Sequence, residues 1–243
     1  MKRLIKLSAS IFFLIMSCML NLPGSAQALP IIDLDFGMIA PTTGSISYGG
    51  GNAPLVGADI EVDNVLGRDQ FGAAGTGVPF NPLNIYGGLL SFTTGANTGG
   101  WTWGGGSGTT ITLTGGLDFN GDNILDLPTT TVLLSGTFGS AFVSSLGGSL
   151  KISGASFTDY KHPDLLTYFG LPTALPNGDP VPYIGGLNLS FNASETVVGN
   201  LFTSTSLASG DLVNTPVPEP GALLLLGFGL AGLGFVSRKK KSA

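Results

Sequence analysis

The chain has 243 residues, with 39 glycines, 15 prolines, one cysteine and one histidine, and a formal net charge of −5. Seven of its ten basic residues sit at the two ends, so that between Leu29 and Val217 three basic residues stand against fourteen acidic ones, a net of −11. That balance excludes nucleic acid and anionic lipid as partners of the body, and a single histidine and a single cysteine exclude a zinc site built from such ligands.

In chain order, Lys2, Arg3 and Lys6 precede a mostly apolar stretch from Leu7 to Leu22. Pro23 and Gly24 break any helix there, and Ala26-Gln27-Ala28 puts small residues at the two positions that signal peptidase reads. This pattern predicts a signal peptide over 1–28, cut after Ala28; an uncleaved anchor or a lipoprotein cut before Cys18 fits the residues less well. Cys18 leaves with the signal. The mature chain then has no thiol, and its stability must come from core burial, with metal as the other candidate.

The body, 29–213, reads as strands and turns. Leu187, Leu189, Phe191 and Ala193 alternate with Asn188, Ser190, Asn192 and Ser194, and Thr110–Thr114 and Leu150–Ser153 show the same period of two. Further strands are expected at Ile31–Phe36, Ser45–Tyr48, Ala58–Val62, Leu89–Thr93 and Val132–Phe138, with one short helix around Pro163–Phe169. Turn signals include Gly49-Gly50-Gly51-Asn52 and Pro176-Asn177-Gly178-Asp179. Gly-Gly pairs at 87–88, 115–116 and 185–186 each open a strand on this reading, without a fixed period. The expected fold is all-β, an antiparallel β-sandwich or jelly-roll-like body. Two small domains with a break near 95–108, or a β-solenoid, are the alternatives.

Four stretches invite chemistry. Asp59, Glu61 and Asp63 fall on one face of a strand, which predicts a solvated outer face. Trp101 and Trp103 lie on the same side of an extended, glycine-flanked segment; such a pair is either core or a platform for sugar rings. Asp118, Asn120, Asp122 and Asp126 stand at positions 1, 3, 5 and 9 of a calcium-loop pattern, and the stretch resembles the Asp-x-Asn-Gly-Asp-Gly-x-x-Asp loops of dockerin-like repeats. Asn123 replaces the usual glycine at position 6 and Thr129 replaces the usual glutamate at position 12, so calcium competes there with a plain Asx-rich turn. His162 has no nucleophile elbow, second histidine or mature cysteine to work with, and no phosphate-binding glycine loop precedes a helix. Asn192-Ala193-Ser194 fits a glycosylation sequon by chance.

The segment 214–243 is the most specific. Gly221 to Val236 is sixteen uncharged residues, about 24 Å as a helix, at the short limit for a bilayer core. Pro218-Glu219-Pro220 fixes an extended approach to it. Arg238-Lys239-Lys240-Lys241 would stay cytoplasmic. A transmembrane helix is expected at about 221–237. The three parts in this order resemble the PEP-CTERM sorting signal of Gram-negative bacteria. The resemblance implies recognition by an exosortase at Pro218, Glu219 and Pro220, transient residence in the inner membrane, removal of the tail and delivery to the cell surface or extracellular matrix, in organisms that make exopolysaccharide. The sequence therefore predicts an exported, exosortase-processed, non-enzymatic structural protein associated with exopolysaccharide, with signal peptidase and exosortase as its processing enzymes. A carbohydrate-binding or adhesive module with a calcium-stabilised loop is the alternative, and a secreted hydrolase ranks last.

Overall fold

The computed structural model describes residues 31–36, 43–68, 78–146, 149–175, 177–193, 195, 197–204 and 206–217. Among these the elements are β1 (Ile31–Phe36), β2 (Ser45–Tyr48), β3 (Leu55–Arg68), β4 (Leu83–Thr93), β5 (Asn97–Gly99), β6 (Thr102–Gly104), β7 (Thr110–Leu117), β8 (Val132–Leu146), β9 (Ser149–Lys161), α1 (Pro163–Tyr168), β10 (Tyr183–Asn192), β11 (Phe202–Ser204) and β12 (Ser206–Pro216). The all-β expectation holds: every pairing between these strands is antiparallel.

The strands form one continuous sheet rather than two sheets laid face to face. Its order runs β1-β12-β10-β9-β8-β7-β4-β3, and β3 pairs back onto β1. Eight strands thus close into a ring. Only β8 and β9 are joined by a short turn, the other connections within the ring being longer, and closure follows because β1 bonds on both sides, to Val62–Arg68 of β3 and to Asp211–Asn214 of β12. A ring of eight strands is just wide enough for side chains to fill. The long strands β3 and β8 overrun the ring at one end. There β2 and then β11 extend from the start of β3, and the β5–β6 hairpin pairs with Ser140–Phe142 of β8, so the segment 95–108 belongs to the same sheet. The other end holds α1, the loop after β7, the start of β1 and the end of β12.

The period of two appears directly in the burial of β3, β4 and β10. The inward positions form one core, in which Phe92, Phe138 and Phe157 follow one another at centroid distances of 5.4 and 5.9 Å. Two of these rings fit because the residue directly across the ladder is glycine. Phe92 opposes Gly57 and Phe157 opposes Gly185, and a Cβ on either glycine would overlap the ring. The paired glycines are therefore not strand openers: Gly87-Gly88, Gly115-Gly116 and Gly185-Gly186 all lie within strands, and Gly87 at φ +59° occupies the register shift between Tyr86 and Leu89.

Candidate functional site

Trp101 and Trp103 are buried at 1% and 0% exposure. Trp101 lies in the turn between β5 and β6, and Trp103 lies in β6. The Trp101 indole N–H donates to the Asn200 carbonyl at 2.9 Å and the Trp103 N–H to the Ala53 carbonyl at 3.1 Å. Tyr48 meets Trp103 edge-on at 5.1 Å, and Phe202 meets Trp101 edge-on at 5.4 Å. With both ring systems enclosed and both donors spent, the pair is core; a sugar platform needs an exposed face that neither indole has.

The stretch from Asp118 to Asp126 is a loop closed at its base by a two-way backbone bridge between Leu117 and Leu127. Asp118 Oδ1 accepts the N–H of Gly121 at 2.7 Å and of Asn120 at 3.2 Å, while Oδ2 accepts the N–H of Asn123 at 2.8 Å. Asn120, Asp122 and Asp126 in turn accept the N–H of Asp122, Ile124 and Phe119. Asn123 adopts φ +65°, the left-handed conformation that asparagine tolerates. The four side chains point at backbone amides instead of at one another. Among the described residues no group of three or more His, Cys, Asp or Glu converges as a metal site. In this geometry the side chains do not converge as calcium requires, with six to eight oxygen ligands about one point; the loop is held by its own Asx turns.

Burial pushes the Asp118 carboxyl up, but amide donors from Gly121, Asn123, Asn120 and Asp122 outweigh it and hold it below its ordinary value of 3.8. A carboxyl lowered by folding stabilises the loop fully above that value and loses the effect as pH falls through its lowered folded pKa. We expect hydrogen exchange to show the Gly121 and Asn123 amides protected equally with and without chelator, and released on acidification. Protection that collapses on adding chelator at neutral pH would restore the calcium reading.

Asp59, Glu61 and Asp63 lie on the outer side of β3, with Ile60 and Val62 buried between them. Asp59 sits at φ +51° in a register shift, its N–H donating to Ser91 Oγ at 3.0 Å. His162 caps α1: its Nδ1 accepts the Asp164 N–H at 3.3 Å.

A buried polar cluster was missed in the sequence. Asp159 and Lys161 point inward from β9, Tyr183 from β10 and Asn214 from β12, at exposures of 0%, 7%, 0% and 0%. One oxygen of the Asp159 carboxylate pairs with Lys161 Nζ, and the other accepts Asn214 Nδ2 at 2.7 Å. The Lys161 ammonium lies 4.9 Å from the centre of the Tyr183 ring. Burial drives the Asp159 carboxyl up and the Lys161 amine down, each against the opposing pull of its partner's charge. Burial and the Asp159 charge also raise the Tyr183 hydroxyl. The alternation that puts Ala155 and Phe157 inward continues to 159 and 161, which was the available signal.

Ala26 and Ala28, the predicted signal peptide and the predicted transmembrane helix lie outside the described residues, as do Pro218, Glu219 and Pro220. Among the described residues no helix is long and apolar enough to cross a membrane. The body holds the chain as far as Val217, whose N–H donates to the Pro182 carbonyl at 3.0 Å. From Pro216 onward a family pattern takes over: the PEP-CTERM protein-sorting motif matches residues 216–240. The chain carries a PEP-CTERM sorting motif. This motif marks an exported protein targeted to an exosortase, passing through the membrane toward the cell surface. It begins where β12 ends, so sorting signal and barrel adjoin without a linker. No curated protein and no solved structure matched the chain.

Proposed function

We propose that the protein is a non-enzymatic structural component of the cell surface or extracellular matrix, retained in exopolysaccharide after its tail has been removed. The observation that carries this reading is the sorting motif at 216–240 on a chain whose preceding strand closes a packed barrel. Three features support it. The ring interior is filled by its own aromatic and aliphatic side chains. The single histidine of the chain serves as a helix cap. The body between Leu29 and Val217 carries a net of −11, which suits a hydrated anionic matrix in the presence of divalent counter-ions. Signal peptidase acts at Ala28 and the exosortase at Pro218-Glu219-Pro220.

The test is mass spectrometry of the protein recovered from cell-surface and culture fractions, with and without exosortase. We expect no peptide beyond about Pro220 in the wild-type surface fraction, and accumulation of the tailed form in membranes when exosortase is absent. A surface form that still contains Lys241 would make the tail a permanent anchor. Hydrolysis of any glycan or peptide by the purified body would end the non-enzymatic reading.

A further inference from the structure

The cluster around Asp159 holds three groups in a reactive order. Lys161 offers an amine, Asn214 offers a carboxamide, and one carboxylate between them binds both, through Oδ2 to Nζ and through Oδ1 to Nδ2. The two reactants come from strands that are not neighbours: β10 lies between β9 and β12. They reach the same carboxylate across β10, where the position directly opposite Asn214 in the ladder is Gly185 and a Cβ would collide with the Asn214 amide. We propose that Lys161 and Asn214 become joined by an intramolecular isopeptide bond, formed within the folded barrel with Asp159 as the catalytic acid–base.

The reaction needs no cofactor or oxidant. The Lys161 ammonium gives one proton to Asp159, leaving a neutral amine and a carboxylic acid. The buried site favours that exchange, since desolvation moves both groups toward their uncharged forms. The amine lone pair attacks Asn214 Cγ, forming the Nζ–Cγ bond, while the C=O electron pair moves onto Oδ1. Asp159 donates to the developing oxyanion and shuttles a proton from Nζ to Nδ2. The Cγ–Nδ2 bond breaks and ammonia leaves. Lysine ends as a secondary amide and Asp159 keeps the one remaining proton, so charge and hydrogen count are conserved and nothing is oxidised or reduced. Two buried charges disappear, which removes their desolvation penalty. Confinement by the closed sheet supplies the proximity that makes amide attack feasible.

One unpartnered atom points the same way. Asn214 Oδ1 is buried without a hydrogen-bond partner among the described residues. An ion pair retained for stability leaves it unsatisfied. Turning the Asn214 amide over, which exchanges two ends of equal size, places Oδ1 on a protonated Asp159 and satisfies it.

A peptide map of the wild-type protein decides the matter, independently of tail processing. Trypsin cuts after Lys151 and Lys161 and releases Ile152–Lys161 from an unreacted chain. It does not cut after an acylated lysine. We expect that peptide to be absent, replaced by one that runs from Ile152 through Asn214 and is lighter by one ammonia, about 17 Da, with fragmentation locating the link at 161 and 214. Quantitative release of Ile152–Lys161, with Asn214 in a peptide of full mass, would overturn the proposal. Lys161→Arg keeps a cation beside Asp159 but cannot acylate, and should restore full mass. Asp159→Ala should do the same, and ammonia loss persisting in that variant would remove Asp159 from its catalytic role.

Discussion

Replacing Asp159 with alanine is expected to destabilise the barrel by about 3–5 kcal/mol, the usual cost of stranding one member of a buried pair. In the chain before any link forms, Lys161 is enclosed by the sheet with Asp159 as its ion-pair partner, and an Asp159→Ala chain, which cannot form the link, keeps an ammonium facing the Tyr183 ring. The amine then deprotonates or the strand end opens, and either route consumes folding free energy. Asn214 Nδ2 loses its acceptor in the same step. Denaturant unfolding followed by circular dichroism measures the loss. The double substitution Asp159→Leu/Lys161→Met removes both charges and should recover the desolvation part, since apolar replacement of a buried pair is often neutral or better. If Asp159→Ala unfolds within about 1 kcal/mol of wild type, the cluster is wetter than its burial indicates.

Trp103→Ala should cost about 3–5 kcal/mol, in the range of large aromatic truncations in cores. The indole is fully enclosed, packs edge-on against Tyr48 and bonds the Ala53 carbonyl. Its removal opens a cavity at the end of the barrel and leaves that carbonyl without its donor. Because β2 and the β5–β6 hairpin both rest on this aromatic group, the loss should appear first as fraying of that end in hydrogen exchange. The same variant weighs core against sugar platform. A Trp103→Ala protein that kept wild-type stability but lost retention on polysaccharide would favour the binding face.

The strands were legible wherever alternation was uninterrupted. Ile31–Phe36 and Ser45–Tyr48 agree with β1 and β2 residue for residue, and Pro163 marks the start of α1. The full lengths of β3, β4 and β8 were not legible, because glycine inside a strand reads as a turn until its partner is known. Gly57 and Gly185 have their reason across the ladder, in Phe92 and Phe157. Ring closure was hidden for a similar cause: it depends on β1 meeting strands at both extremes of the chain, a contact that no local pattern encodes. The Asp118 loop was found, but spacing alone could not say whether its oxygens face a common centre or the amides beside them. Asp159 and Lys161 were not singled out in the sequence, and Asn214 was grouped with the sorting segment, because a charged pair and a lone amide carry no local sign of a shared site. Only the register of β9, β10 and β12 brings them together.

Closure through β1 and β12 also gives the fold a sense of completeness. β1 follows the predicted signal cut, and β12 ends where the sorting motif begins. The register Ile32↔Asn214 places these two junctions side by side at one end of the barrel. A chain stopped short of residue 206 would present open edges on β1 and β10, the kind of surface that recruits other strands or proteases. Only a chain that reaches its last strand can seal that seam. A chain truncated before β12 would therefore lack both the closed seam and the sorting motif.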